Sequence, residues 1–195
     1  MAQAAAIVLA AGDATRFGGG KLLAPLDGRP LLQHVLDLAA MASLEPVVVV
    51  LGRDAASAER ACTWRGERRI VNERPDAGIS GSVRLGLAEL EVTAAARAVV
   101  LLGDQPRLTV EQVRSILDVS ADPARPIVVP CYGGVPGNPV LIERAAWPMA
   151  ADLRGDYGMS QLVRARPELV RHIELPGTNP DVDTRADLRR LEEAP

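Results

Sequence analysis

The chain has 195 residues, 48% of them apolar and only 3% aromatic, with a formal net charge of −3. That length suits one domain, 1–195, with a core of Val, Leu, Ile and Ala, and the apolar share excludes a disordered chain. The balance of 22 Lys and Arg against 25 Asp and Glu speaks against a general nucleic-acid binder, but allows a small anionic substrate held by local groups.

Ala4 to Leu9 is an apolar run that reads as a buried strand. It leads into Leu9-Ala10-Ala11-Gly12-Asp13-Ala14-Thr15-Arg16-Phe17-Gly18-Gly19-Gly20-Lys21, whose last ten residues hold four glycines, one arginine and one lysine. Glycines at this density allow a tight turn and a close backbone approach to a ligand. Backbone N–H groups in such a loop can point at phosphate oxygens, and Arg16 and Lys21 add positive charge. A glycine-rich surface turn is the plain alternative. The loop is not a Walker loop, because Leu22 follows Lys21, and it is not the G-x-G-x-x-G fingerprint.

Asp27-Gly28-Arg29 reads as a turn, and Pro30 opens a helix whose apolar face is Leu31, Leu32, Val35, Leu36, Leu38 and Ala39. His34 lies in this helix with no second ligand candidate near it in sequence, which suits a structural or surface histidine. Pro46 to Leu51 is a continuous β-branched run of the kind buried on both faces of a parallel sheet. Helix Ala55–Cys62, strand Arg69–Asn72, helix Ser82–Leu90, strand Ala98–Leu102, helix Val110–Val119 capped by Thr109, and strand Pro126–Pro130 follow. This alternation implies right-handed βαβ units and an α/β fold: a Rossmann-like, doubly wound, mostly parallel sheet in three α/β/α layers. Ligands of such sheets sit outside the carboxyl ends of the strands, where the segments after Leu9, Val71 and Leu102 all emerge.

The last third is less regular. Tyr132 to Pro139 is turn-rich, Val140–Ile142 a short strand, Glu143–Met149 a short helix and Gly155–Gly158 another turn. A helix over Met159–Ala165, a strand over Leu169–Leu175 and a closing helix over Thr184–Leu191, with Thr184 as N-cap, complete the chain. No run of about 18 apolar residues suggests a membrane span, and no basic segment precedes an apolar signal core. Cys62 and Cys131 lack metal-ligand spacing, so reduced thiols and a cytoplasmic address are expected.

The stretch L-A-A-G-x-x-x-R-F-G-G-x-K-L-L resembles the signature of nucleotidyltransferases that move a nucleoside monophosphate from a nucleoside triphosphate onto a phosphorylated acceptor. Within them it is similar to the molybdenum cofactor cytidylyl- and guanylyltransferases, the MobA-like group. The resemblance implies that an acceptor phosphate attacks the α-phosphorus and pyrophosphate leaves. The protein then supplies positioning and cations and needs no nucleophile of its own.

Two carboxylates follow from it. Asp104, in Gly103-Asp104-Gln105-Pro106, is by its residues alone a turn or capping aspartate, and in the family's G-D-x-P turn it is a Mg²⁺ ligand. Asp183, in D-V-D-T-x-x-D-L, is by itself a helix-flanking residue. The family's D-I-D-T-P-E-D-L segment makes it the second ligand, with Asp181 as the fallback and Arg185 where proline is frequent. The resemblance assigns catalysis to Lys21, Arg16 and Asp104, with Arg16 on the β/γ-phosphates and Lys21 near the α-phosphorus. It assigns nucleotide binding to Leu9, Ala10, Ala11, Gly12, Arg16 and Lys21. Asn72, Ser80 and Ser82 join them against base and ribose, with helix capping by Ser82 the competing reading.

Ala11 stands where the guanylyl branch has glycine, and Gly103-Asp104-Gln105-Pro106 lacks that branch's extra residue, so CTP is favoured over GTP. Asn138, Pro139, Gly155 and Asp156 match segments that face the acceptor, a phosphorylated pterin cofactor whose product passes to a client molybdoenzyme. Tyr157 and Met159-Ser160 depart from the small or basic residues common there. GTP, another phosphorylated small molecule, or a cofactor-binding protein without turnover are the competing readings.

Overall fold

The computed structural model describes residues 3–193. In chain order it contains β1 (Ala4–Ala10), β2 (Pro25–Leu26), β3 (Arg29–Pro30), α1 (Leu31–Met41), β4 (Val47–Leu51), α2 (Ala55–Ala61), β5 (Arg68–Val71) and α3 (Ile79–Glu91). Then come β6 (Arg97–Leu102), α4 (Val110–Leu117), β7 (Ile127–Tyr132), β8 (Val135–Pro136), β9 (Val140–Glu143), α5 (Gly158–Ala165), β10 (Val170–Leu175) and α6 (Arg185–Glu193).

Eight strands form one sheet in the order β10-β7-β9-β6-β1-β4-β5, with β8 on β7, and a separate hairpin joins β2 to β3. The pairings of β1 with β4 and β6, of β4 with β5 and of β7 with β10 are parallel, as the strand–helix rhythm implies. β9 is antiparallel to both β6 and β7. The seven residues between β7 and β9, 133–139, cannot carry a helical crossover, so this short run must turn back on itself.

Alternation along β1 explains the two helical layers. Ala5, Ile7 and Leu9 face a core completed by α3 and α5, whereas Ala6, Val8 and Ala10 face one completed by α1, α2 and α4. A third, smaller cluster joins Phe17, Leu26, Leu31, Val182 and Leu188 beside the carboxyl edge of the sheet.

Local chemistry sets the details. Asp27 and Gly28 both take positive φ, 51° and 76°, which closes the β2–β3 hairpin in two residues. Thr109 and Gln112 form a reciprocal capping box at the start of α4. The helix expected over Glu143–Met149 is instead a run of 3-10 turns over Arg144–Asp152, because Pro148 lies inside it and cannot donate to an α-helical ladder. Helix α3 begins at Ile79, after Gly78 at φ 93°, three residues earlier than the periodicity placed it. Ser82 therefore lies within the helix rather than at its cap. Cys62 and Cys131 are free and buried, and burial pushes the Cys62 thiol up to about 11, so it stays protonated at neutral pH. Among the described residues no helix is long and apolar enough to cross a membrane.

Candidate active site

Strand order reverses between β1 and β6. β4 and β5 lie outward from β1, and the later strands lie outward from β6. Such a switch point opens a crevice at the carboxyl edge, where the loops after neighbouring strands diverge. The glycine loop leaves β1 there and Gly103-Asp104 leaves β6 beside it, with the Gly103 N–H donating to the Leu9 carbonyl at 2.9 Å.

The loop is wound from short 3-10 turns, Thr15–Phe17 and Lys21–Leu23. The N–H groups of Phe17, Gly18 and Gly19 all converge on the Ala14 carbonyl at 3.1 Å. Gly18, Gly19 and Gly20 run at φ 90°, 91° and 62°, a succession that side chains with a Cβ resist. This winding returns Lys21 to the strand edge. Its Nζ lies 2.6 Å from Asp104 Oδ2 and 3.5 Å from Asp183 Oδ1, and the side chain is only 11% exposed. Arg16 reaches the other oxygen of Asp183, Nη1 to Oδ2 at 2.9 Å, from an exposed position.

Asp183 is delivered by the segment before α6. Asp187 Oδ2 accepts from the N–H and the hydroxyl of Thr184, both at 2.7 Å, and the Thr184 hydroxyl accepts from the Asp187 N–H at 3.2 Å. This reciprocal cap confirms Thr184 at the helix start and fixes the residue before it. The Val182 N–H donates to the Asp104 carbonyl at 3.0 Å, which straps the segment across the β6 turn. Arg185, in place of the family's proline, stacks over the Phe17 ring at 5.0 Å. Asp181 accepts from the Gln105 amide, and burial followed by the charge of Asp104 raises its carboxyl above the usual range.

A cavity of about 540 Å³ opens over this constellation. Leu9, Ala11, Gly12, Arg16, Lys21, Ser82, Asp104 and Asp156 line it. The sequence placed all eight at the site. Asp183 meets the group through Lys21 and Arg16. Ala10 belongs to the core on the α1 side, by the alternation of β1. Asn72 is buried just behind the lining, its Nδ2 donating to the Ser82 hydroxyl at 3.0 Å and its Oδ1 accepting from the Arg74 N–H at 2.9 Å. Ser80 is fully buried and its hydroxyl has no partner among the described residues. Gly78 and Gly155 are in such close approach that a Cβ on Gly78 would sit 2.3 Å from the Gly155 carbonyl carbon. Asn138 lies apart from the cavity lining, its carbonyl accepting from the Tyr132 hydroxyl at 2.9 Å, with Pro139 leading into β9.

The lining also includes Asp13 and Asp76, bridged by Arg53 at 3.7 and 2.5 Å. The Asp13 carboxyl is raised because it shares a hydrogen bond with Asp76. The glycine-loop motif contains Asp13 only as a variable position, and no motif marks Asp76 or Arg53, so only their meeting across three loops reveals them.

Among the described residues no group of three or more His, Cys, Asp or Glu is arranged to hold a metal alone. Asp104 on the cavity wall and Asp183 across Lys21 from it suit a hard divalent ion that takes its remaining oxygens from phosphate and water. Lys21 now occupies the space between them, as a cation of the sign such an ion would carry.

Residues 6–172 match the MobA-like NTP transferase domain model. The chain is similar to Rv0371c of Mycobacterium tuberculosis H37Rv, with 34% identity, TM-score 0.87, and 99% of this chain and 98% of that one covered. A second Rv0371c structure, complexed with manganese, aligns at 33% identity and TM-score 0.85, covering 99% of each chain. It is also similar to the purine catabolism protein PucB of Bacillus subtilis, 28% identical over 170 residues that cover 82% of this chain and 80% of PucB. The bifunctional protein GlmU of Sorangium cellulosum is 37% identical over 127 residues, or 60% of this chain, and this alignment takes in only 27% of GlmU's length. A nucleotidyl transferase from Methanothermobacter, at 21% identity and TM-score 0.82 over 98% of this chain and 96% of that one, shares the fold. The chain belongs to the MobA-like NTP transferase family of nucleotidyltransferases.

Proposed function

We propose that the protein is a Mg²⁺-dependent, cytoplasmic cytidylyltransferase that moves CMP from CTP to the phosphate of a molybdopterin-type molybdenum cofactor, releasing pyrophosphate. The observation that carries this reading is Lys21 held between Asp104 and Asp183 at the edge of a glycine-loop cavity. That arrangement supplies the two needs of phosphoryl-group chemistry, cations for the developing charge and oxygen ligands for a metal.

In this reading an oxygen of the acceptor phosphate attacks the α-phosphorus, a new P–O bond forms, and the bond to pyrophosphate breaks. Arg16 and the loop N–H groups hold the β- and γ-phosphates. Lys21 leaves the carboxylates and neutralises charge building on the transferring group. Asp104 and Asp183 would hold Mg²⁺, which when bound supplies further charge neutralisation at the phosphates. A binding protein without turnover has no need of a buried lysine set between two such carboxylates. The manganese in the Rv0371c structure supports a divalent ion.

Cytosine is favoured by Ala11, which lines the cavity where the guanylyl branch has glycine. Its backbone cannot retreat, because Gly52 packs so closely that a Cβ there would lie 2.7 Å from the Ala11 carbonyl oxygen. On the acceptor side, Asp156 lines the cavity and Tyr157 stands beside it, 63% exposed. Met159 is a core residue, so its departure from the family pattern bears on packing. The exposed Tyr157 favours, as the second reading, the same transfer to a different phosphorylated small molecule.

The test is pyrophosphate release with Mg²⁺, molybdenum cofactor and CTP, GTP or ATP in turn. Release with CTP that is abolished by Asp104→Asn supports the proposal. No release with any nucleotide, or equal release from the variant, sinks it, and release with GTP alone overturns the base assignment only.

A further inference from the structure

Beside the metal-type carboxylates lies a chain of two amides, Gln105 buried and Asn179 half-buried. Gln105, 4% exposed, follows Asp104 directly. Its Nε2 donates to Asp181 Oδ1, and its Oε1 accepts from Asn179 Nδ2 at 2.9 Å. The same Asn179 nitrogen donates to the Asn138 carbonyl at 3.0 Å. The chain has a direction. The Asp181 carboxylate accepts, so the Gln105 amide must turn its NH₂ toward it, and Asn179 must then turn its own NH₂ toward Gln105 and Asn138. Asn179 Oδ1 is left buried without a partner among the described residues. Folded proteins seldom leave a buried acceptor unpaired, so its retention here asks for a role beyond packing.

The sheet shows why the link matters. β6 and β9 pair antiparallel with Val100 opposite Val140. The residues just before Val140 therefore run alongside those just after Val100, and Asn138 is brought to the end of β6 where Asp104 sits.

We propose that Asn179 is a positioning residue that sets the acceptor-side segment Asn138-Pro139 at a fixed distance from Asp104, through Gln105 and Asp181. The inference rests on the nucleotidyl-transfer reading, and on Asn138-Pro139 facing the acceptor. The amides set the path of one substrate only. Loosening them harms the acceptor and spares the nucleotide, which is held by the glycine loop on the other side of Asp104.

Three variants test it: Asn179→Asp, which keeps the shape and loses the donating NH₂, Asn179→Ala and Gln105→Ala. Each is expected to raise the KM for molybdenum cofactor about tenfold, the effect of one lost hydrogen bond, with the KM for CTP unchanged within about twofold. The double Ala variant is expected to be no worse than the weaker single variant, because both break one chain. Equal rises in both KM values, or no rise, overturn the proposal. Backbone hydrogen exchange of the wild-type and Asn179→Asp proteins, with no substrate present, gives a second reading. Faster exchange over residues 137–142 with residues 12–23 unchanged supports the link, and unchanged exchange over 137–142 overturns it. If the wild type releases no pyrophosphate, the functional reading fails, and hydrogen exchange still decides the link.

Discussion

Lys21 Nζ sits 2.6 Å from Asp104 Oδ2, a lysine of the glycine loop resting on a carboxylate of the proposed metal pair. In the proposed site this pairing would make lysine and metal competitors for one place. Lys21→Ala is therefore expected to act in two opposite directions. Transfer slows by about 10²–10³ in kcat, the usual cost of removing a preorganised charge from a transition state. Mn²⁺ binding without nucleotide tightens by roughly tenfold, because no ammonium has to be displaced. Steady-state kinetics and a Mn²⁺ titration followed by electron paramagnetic resonance measure the two. Weaker Mn²⁺ binding in the variant would refute the competition.

Ala11→Gly is expected to shift the ratio of kcat/KM for GTP over CTP upward by about tenfold, the scale of one methyl group in a shaped pocket. The competing substrates assayed side by side decide it. An unchanged ratio means that the base is read elsewhere.

Two glycines separate stability from binding. A Cβ on Gly86 would lie 2.4 Å from Ile7 Cγ2, so Gly86→Ala forces α3 away from β1 and is expected to cost about 1–3 kcal/mol. Gly52→Ala pushes instead on the backbone of Ala11, so nucleotide affinity is expected to fall along with stability. Denaturant melts and nucleotide titrations of both variants show the split. Equal loss of nucleotide affinity in the two would contradict it.

Asp37 ties α1 to β3 and to the loop after α2. It accepts from Gln33 at 2.8 Å and pairs with Arg29 and Arg65, both at 2.7 Å. Burial pushes its carboxyl up, but the Gln33 and Arg65 hydrogen bonds outweigh that and hold it below the usual carboxylate range. A carboxyl whose folded pKa lies below the unfolded value of about 3.9 stabilises fully above that value and loses the contribution as pH falls through the folded one. Asp37→Asn is thus expected to cost about 1–2 kcal/mol at neutral pH and to flatten the fall in Tm below about pH 4. Thermal melts across pH 3–7 check both parts, and parallel curves for the two proteins would refute the linkage.

Much of this fold was legible because apolar runs and helix signals are local. The β-branched run Val47–Leu51 and the capped start of α4 need no distant partner to be recognised. Strand order was not legible, since pairing β9 between β6 and β7 depends on the turn after Tyr132 folding back. Pro148 was visible in the sequence, yet the apolar periodicity around it suggested an α-helix that its missing N–H forbids. At the site the residue types and their clustering on one edge were readable. Their pairing was not, as Lys21 meets Asp104 across 83 residues and Asp183 across 162. No periodicity spans such separations. Asp13, Asp76 and Arg53 escaped for the same reason, with no motif to mark two of them.

The small apolar cluster of Phe17, Leu26, Leu31, Val182 and Leu188 has a mechanical meaning. Phe17 is the chain neighbour of Arg16, and Val182 that of Asp183. A cation and a carboxylate from opposite ends of the chain are therefore mounted on one greasy bearing. A displacement of the glycine loop at Phe17 would therefore be passed through Val182 to Asp183, so that in the proposed reaction the groups for phosphate and for metal would shift as a single part.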